Sequence, residues 1–348
     1  MSPAARPSDK MRVVRLDLWI DPAFDACIER EDGLSVEVLP AHGDAVTQAG
    51  LAGAQAYHVS AAKDEVPARW WVSESLLAQC PELLCVSSGG AGYDTVDVEA
   101  CTRAGVAVVN QAGANAASVA EMTFALLLSL VKRLRESQAA LQSGAAASRE
   151  ALMGREIEGR VLGIVGIGEI GRRVARVAAG FGMRVIAYDP LLSPEEIRSR
   201  GAEPVAFASL LEGADVVSLH CPLNGDTRGM FGAEAFGRMN PGALFISTAR
   251  GGIHDEQALL SALQEGRLAG AGLDVWSQEP PSPGNGLLLR SDVVATYHTG
   301  GVTHEGRRKV AQGSATQIAE MLAGRRPSRL LNPEVWPGFL ERLAQRQA

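Results

Sequence analysis

Two groups of residues in this chain have types and spacings that suit chemistry. The first is Gly166, Gly168 and Gly171, in Val161-Leu-Gly-Ile-Val-Gly-Ile-Gly-Glu-Ile-Gly171. An apolar, β-branched run passes through them into Arg172-Arg-Val-Ala-Arg-Val-Ala-Ala, which has the apolar spacing of a helix. In such a strand, turn and helix, the first glycine makes the turn and the second lets backbone approach a pyrophosphate. The third lets helix and strand pack closely. The helix N-terminus offers N–H groups to the anion. Met183-Arg-Val-Ile-Ala-Tyr-Asp189 reads as the next strand and ends in an acid 18 positions after Gly171, where a ribose 2′-OH needs an acceptor. Glycine-rich turns are common for purely structural reasons; the acid at this distance is what indicates a dinucleotide. A carboxylate there repels a 2′-phosphate, and Pro190-Leu-Leu supplies no Arg or Lys to hold one, so NAD is favoured over NADP.

The second group is Arg250, Glu279 and His298. Arg250 follows Phe245-Ile-Ser-Thr-Ala, Glu279 follows a strand ending in Asp274-Val-Trp, and His298 follows Val293-Val-Ala-Thr-Tyr. In open α/β sheets, ligands bind outside the carboxyl ends of strands. The planar fork of Arg holds a carboxylate in a bidentate pair. His titrates near neutral pH, so it can take the proton of a carbinol as hydride leaves, or return one to a ketone. A neighbouring Glu favours the imidazolium and raises the His pKa. Taken singly, these are a surface arginine, a solvated glutamate before Pro280 and a capping histidine. Their joint placement points to catalysis.

The elements that must position them alternate. Arg12 to Trp19, Ser35 to Leu39, Ala54 to Ser60, Leu83 to Ser88 and Val106 to Asn110 read as strands. Ser73 is a plausible N-cap for a helix running to Cys80, and Ala100 to Ala104 reads as another. Strands separated by helices, with hardly a hairpin signal, indicate a parallel α/β sheet. This region has no G-x-G-x-x-G, so it is expected to be a separate α/β domain ahead of the nucleotide domain. Ser118 to Glu136 is expected to be one long helix, and 142 to 148 a polar connection. After Asp189, the strand candidates are Ala202 to Phe207, Asp215 to His220, Ala243 to Thr248, Ala271 to Trp276 and Asp292 to His298. Ser209 to Gly213, Asp255 to Gln264 and Glu305 to Leu322 read as helices, and a tail with Asn332-Pro-Glu-Val-Trp336 remains.

The 348 residues allow two domains and ample core. A net charge of −7 with no basic run argues against a nucleic-acid partner. The five cysteines, Cys27, Cys80, Cys85, Cys101 and Cys221, form no C-x-x-C and no metal-ligand cluster, and read as reduced thiols of a cytoplasmic protein. His42, His58 and His304 have no ligating spacing. Met1 to Lys10 has no apolar signal core and reads as a frayed tail. The most apolar window, Val119 to Val131, contains Glu121 and is too short to span a bilayer, so no membrane partner is expected.

Several ordered motifs resemble one family. They are Gly163 to Gly171, His220-Cys-Pro-Leu with Thr227, Met239-Asn-Pro-Gly-Ala-Leu-Phe-Ile-Ser-Thr-Ala-Arg-Gly251, Gly272-Leu-Asp-Val-Trp-Ser-Gln-Glu-Pro280 and His298-Thr-Gly-Gly301. Gly90-Ala-Gly-Tyr-Asp94 and Asn115-Ala-Ala-Ser-Val-Ala-Glu121 match upstream. Over roughly Ala54 to Trp336 the chain resembles the D-isomer-specific 2-hydroxyacid dehydrogenases, which include glyoxylate/hydroxypyruvate reductases and phosphoglycerate dehydrogenases. The resemblance implies a Rossmann NAD-binding domain over 119–300 and a discontinuous, flavodoxin-like α/β substrate domain over 1–118 and 301–348. It implies Arg250, Glu279 and His298 as the catalytic triad, with substrate contacts from Ala91, Gly92, Asn115 and Arg250. Cofactor contacts would come from Gly166, Gly168, Glu169, Ile170, Gly171 and Asp189. The later motifs would add His220, Pro222, Thr227, Thr248, Ala249, Asp274, Gly300 and Gly301. Hinge closure over the cleft would exclude water. The helix from Ser118 would lie at a twofold homodimer interface, which would explain its apolarity. Formate dehydrogenases of the same superfamily place Gln where this chain has Glu279, so the intact acid favours alcohol–ketone chemistry on a small (R)-2-hydroxyacid or 2-oxoacid.

The departures bear on substrate. In phosphoglycerate dehydrogenases a strand like Tyr57-His-Val-Ser ends in an Arg for the phosphate. Here Ser60 stands there, followed by what looks like an insertion through Arg69-Trp-Trp71, and no regulatory domain is expected after Trp336. Both count against phosphoglycerate, although Lys63 or Arg69 could substitute. Trp70 and Trp71 read equally as core or as a lid. His254 stands where the family has an apolar residue, and is either a partly exposed residue at a helix start or a cleft residue that tunes substrate choice. Cys221 would lie near the cofactor and pack rather than react. Two rival functions are a phosphorylated-hydroxyacid dehydrogenase and an NAD(H)-sensing protein like the corepressors built on this fold. The complete triad weighs against the latter.

Overall fold

The computed structural model describes residues 10–144 and 147–347. The expected N-terminal tail, apart from Lys10, and residues 145 and 146 of the polar connection lie outside the described residues. Two compact units form: Met1–Asn115 with His304–Ala348, and Ala116–Thr303. No described helix is long and apolar enough to cross a membrane.

In the first unit, β1 (Met11–Leu16), β2 (Leu34–Leu39), β3 (Ala56–Val59), β4 (Cys85–Ser88) and β5 (Ala107–Val109) form a sheet in the order β2-β1-β3-β4-β5. Every pairing is parallel, and the order is that of flavodoxin-like folds. Alternate residues of the strands feed two cores. Val14, Tyr57, Val86 and Val108 pack on one face with Leu51, Leu76 and Cys101. Val13, Ala56, Cys85, Ala107 and Val109 pack on the other with Ile318, Met321, Leu322, Phe339 and Leu343. The C-terminal helices His304–Leu322 and Trp336–Gln347 therefore cover this face together with Phe24 and Ile28 of the helix Ala23–Ile28. Asn332 stitches them on: its Oδ1 accepts the Val108 N–H at 2.9 Å and its Nδ2 donates to Val106 O at 2.9 Å.

In the second unit, β6 (Val161–Val165), β7 (Arg184–Tyr188), β8 (Glu203–Pro204), β9 (Val216–Leu219), β10 (Ala243–Ser247), β11 (Leu268–Leu273) and β12 (Val293–Ala295) form a parallel sheet. Their order is β12-β11-β10-β9-β6-β7-β8, the Rossmann order with one more strand, reversing between β6 and β9. One face packs on helices Ala116–Val131 and Gly171–Gly180 through Phe124, Leu127, Val174 and Ala178. The other packs on Phe207–Gly213, Ala233–Arg238 and Glu256–Gln264 through Leu210, Phe236, Leu259 and Leu263.

Four expectations need correcting. The helix expected over Ser118 to Glu136 runs Ala116–Val131, then breaks at Arg133, whose φ is 53°, before a second helix, Leu134–Ser143, that buries nothing. The first of the two helices buries Ala120, Phe124, Leu126 and Leu127 in the core of its own unit. The strand expected over Ala271 to Trp276 is Leu268–Leu273, because parallel pairing with β10 outweighs the low strand propensity of Ala269-Gly-Ala-Gly. The strand expected over Ala202 to Phe207 shrinks to two residues, since Phe207 opens a helix. The C-terminal tail is a helix, with Phe339 and Leu343 one turn apart on its buried face.

Candidate active site

The glycine turn after β6 divides its three residues by purpose. Gly166 has φ 87°, and a Cβ on it would lie 2.7 Å from Cys221 N. A Cβ on Gly171 would lie 2.3 Å from Gly166 O, so the helix Gly171–Gly180 can start there only without a side chain. Gly168 has no atom within 4 Å of its Cβ position. The fold therefore requires two of the glycines and leaves open space beside the third, at a helix N-terminus, which fits the pyrophosphate of a dinucleotide. Asp189 follows β7 at the same edge. Its Oδ2 accepts the Ile167 N–H at 3.0 Å and its Oδ1 the Leu191 N–H at 3.1 Å, which pins the carboxylate beside the turn. Ile170 caps the helix, and exposed Glu169 pairs with Arg172 at 2.5 Å.

The other residues expected on the cofactor side follow β9, β10 and β12. His220 Nε2 meets Ser218 Oγ at 2.9 Å, and burial pushes its pKa down to about 3, so the ring is neutral. Thr227 Oγ1 donates to Pro222 O at 2.7 Å, closing the loop that Pro222 begins. Thr248 and Ala249 are buried after β10, with Thr248 Oγ1 3.3 Å from Thr123 Oγ1. Gly300 is buried and Gly301 half-buried.

Arg250, Glu279 and His298 all follow strand ends of this sheet, and the last two meet. His298 Nδ1 donates to Glu279 Oε2 at 2.8 Å, and Glu279 Oε1 accepts the Trp276 N–H at 3.1 Å. Burial by itself would lower the His298 pKa, but the hydrogen bond and charge of Glu279 outweigh it and the net shift is upward. Burial would raise the Glu279 pKa, and His298, the Trp276 N–H and Arg250 together bring it down instead. The Arg250 charge thus acts on both partners. The site sets on a carboxylate a histidine whose protonated form that carboxylate favours, with a guanidinium within electrostatic range, an arrangement that can bind an acid and move a proton.

In the first unit, Ala91, Gly92 and Asn115 belong to adjoining loops beyond β4 and β5. Ser88 Oγ donates to Gly92 O at 2.8 Å, Asn110 Nδ2 to Ala91 O at 2.8 Å, and the Gln111 N–H to Gly90 O at 2.7 Å. Trp70 is core: its Nε1 donates to Ala41 O at 2.8 Å. Trp71 is half-buried, its Nε1 bonded to Val66 O at 2.9 Å.

His254 is neither partly exposed nor at an open cleft. It is 1% exposed, 5.4 Å from the Phe245 ring between centroids, and neither of its ring nitrogens has a hydrogen-bond partner among the described residues. Two supporting residues escaped sequence reasoning. Asp274, read only as a cofactor contact, also accepts from Thr296 Oγ1, the Thr299 N–H and the Gly300 N–H around His298. Glu256 ties down the segment bearing Glu279. No spacing rule signals either tie.

The family model described as D-isomer specific 2-hydroxyacid dehydrogenase, NAD binding domain, matches residues 124–300. The chain is 38% identical over 270 residues to the glyoxylate reductase of Thermococcus litoralis, covering 76% of this chain and 81% of that one. It is 38% identical over 253 residues to the D-3-phosphoglycerate dehydrogenase of Bacillus subtilis, covering 73% of this chain and 48% of that one, about half its length. Among solved structures, the D-lactate dehydrogenase of Aquifex aeolicus complexed with NAD and lactic acid has a TM-score of 0.80 at 26% identity, over 92% of this chain and 99% of that chain. With a glycine turn suited to a dinucleotide and a histidine–carboxylate pair at the same sheet's edge, the chain belongs to the D-isomer specific 2-hydroxyacid dehydrogenases, NAD-dependent oxidoreductases.

Proposed function

We propose that this chain interconverts a small, unphosphorylated 2-oxoacid, such as glyoxylate, hydroxypyruvate or a longer one, and its (R)-2-hydroxyacid, with Arg250, Glu279 and His298 as the catalytic group. The observation that carries the reading is the 2.8 Å bond from His298 Nδ1 to Glu279 Oε2. NADH, when bound, supplies the hydride that goes to C2. Arg250 holds the substrate carboxylate as a bidentate pair. The N–H groups near Ala91 and Gly92, with Asn115, are assigned to substrate as well. With Nδ1 engaged by Glu279, His298 donates its Nε2 proton to the carbonyl oxygen as the hydroxyl forms. One 2-oxoacid, one NADH and one proton thus become one 2-hydroxyacid and NAD. We assign the cofactor to Gly166, Gly168, Glu169, Ile170, Gly171 and Asp189, and to the His220, Thr227, Thr248 and Gly300 loops.

What supports an unphosphorylated substrate is the end of β3. Ser60 Oγ donates to Glu65, whose other oxygen lies 3.3 Å from Arg307, so a carboxylate occupies the neighbourhood where a phosphate would need a free cation. Lys63 lies over the Trp71 ring at 4.9 Å, and Arg69 pairs with Asp44 at 2.9 Å, so each is engaged elsewhere.

The first unit is read as the substrate domain. A homodimer is supported by Leu134 and Leu141, 55% and 82% exposed on a helix with no buried residue. A cytoplasmic location is supported by the free cysteines.

The test is NADH oxidation with glyoxylate, hydroxypyruvate, pyruvate, phenylpyruvate and phosphohydroxypyruvate, repeated with NADPH. An unphosphorylated acid with NADH is expected to win. Preference for phosphohydroxypyruvate would favour the phosphorylated-acid reading. Tight NADH binding without turnover would favour a sensor.

A further inference from the structure

Between β11 and β12 the chain has no regular secondary structure, yet this stretch must deliver Glu279 to His298. One side chain ties it at two points. Glu256 Oε1 accepts the Ser277 N–H at 2.6 Å, and Glu256 Oε2 accepts from Asn285 Nδ2 at 2.8 Å. Ser277 lies two residues before Glu279 and Asn285 six after it, so one carboxylate closes both feet of the excursion that carries Glu279. Asn285 is itself held, since its Oδ1 accepts the N–H of buried Leu287 at 3.0 Å.

Glu256 stands on a rigid element. It opens the helix Glu256–Gln264, which Asp255 caps by accepting the Gln257 and Ala258 N–H groups. The same connection from β10 carries Arg250 a few residues earlier. Gly251, next to Arg250, lies so close to the Glu279 loop that a Cβ on it would fall 1.8 Å from Trp276 O.

We propose that Glu256 is a positioning residue for the proton transfer: it holds the Ser277 to Asn285 excursion in the register at which Glu279 meets His298. The proposal rests on the acid–base reading of His298. Ionised groups acting on His298 are Glu279, Arg250 and Asp274, and of these only Glu279 rides on the clasped segment. Releasing the clasp lets Glu279 wander, so the imidazolium loses its main support while Arg250 still opposes it.

The test is kcat/KM for 2-oxoacid reduction against pH in wild type, Glu256→Ala, Glu256→Gln and Glu279→Gln, with the NADH dissociation constant and the unfolding temperature of each. In Glu256→Ala the alkaline limb should move to lower pH, part of the way to its position in Glu279→Gln. Its kcat should fall by about tenfold to a hundredfold, the order expected for a misplaced catalytic group, with NADH binding unchanged. Glu256→Gln, which keeps an acceptor for Ser277, should fall between, and Glu256→Ala should not move the limb further in a Glu279→Gln background. A lower unfolding temperature with an unmoved limb would overturn the proposal and leave the acid–base reading standing. A wild type with no alkaline limb would overturn both. If Glu256→Ala does not fold, Asn285→Ala, which removes one tie, carries the same test.

Discussion

Asp274 accepts the backbone N–H of Thr299 at 2.8 Å, fixing the peptide bond immediately after His298. His298 has φ 50°, a left-handed conformation that costs a non-glycine residue roughly 1–2 kcal/mol. The Asp274 bonds to Thr296 Oγ1 at 2.6 Å and to the Gly300 N–H at 2.8 Å help offset that cost. Asp274 is 1% exposed, so Asp274→Ala leaves the donors of Thr296, Thr299 and Gly300 without their acceptor. It should lower stability by about 2–5 kcal/mol, measured by urea unfolding, and Asp274→Asn, which keeps one acceptor oxygen, should lose less. An unchanged midpoint in the alanine variant would show that the loop holds itself.

The raised His298 pKa sets the sign of the pH dependence. The imidazolium persists above the usual histidine range, and reduction consumes its proton. The kcat/KM for reduction should therefore be flat below the folded pKa and fall as pH rises through it, while oxidation, which needs neutral imidazole, should rise over the same interval. The pair's contribution to stability has the same direction: fully present below the unfolded pKa and lost as pH rises through the folded one. Glu279→Gln should move the limb to lower pH. His298→Ala and Arg250→Ala should each cost turnover by about 10²–10⁴ and leave NADH binding largely intact; binding lost in step with activity would count against both roles.

The three glycines should respond differently to a methyl group. Gly168→Ala meets no neighbour, so unfolding should stay within about 0.5 kcal/mol of wild type, while NADH affinity falls. Gly171→Ala drives a Cβ against Gly166 O and should cost about 1–3 kcal/mol. Thermal unfolding and NADH fluorescence titration separate the two. A Gly168→Ala protein with wild-type NADH affinity would remove this turn from the cofactor site.

His254 is expected to be an acid-sensitive weak point. Burial pulls its pKa from 6.5 to about 4, against the opposing charges of Glu256 and Asp255. As pH falls below 6.5 the unfolded chain takes the proton first, so the native state loses stability progressively towards pH 4. His254→Leu removes the orphaned nitrogens and this proton linkage. It should unfold at higher urea, by about 1–3 kcal/mol, with a shallower acid limb and an unchanged ranking of 2-oxoacids. A less stable leucine variant would show that the ring's packing on Phe245 outweighs its buried nitrogens.

Local patterns were legible and long-range ones were not. The glycine turn, Asp189, and the places of Arg250 and His298 after strands follow from residue spacing, because strand, turn and helix impose their periods over a few residues. The Leu268 start of β11 was hidden, because its alanines and glycines become a strand only by pairing with β10. The helix Trp336–Gln347 carries its apolar spacing openly, but Phe339 and Leu343 have a purpose only against a sheet laid down more than two hundred residues earlier.

By itself, then, the sequence determined which reactive groups the chain carries and which strand ends present them. The tertiary structure alone decided which of them touch. The bond from His298 to Glu279, the clasp of Glu256 on Ser277 and Asn285, and the burial of His254 depend on the path of irregular loops. That path is set by hydrogen bonds between residues far apart in sequence, which leave no period in the chain.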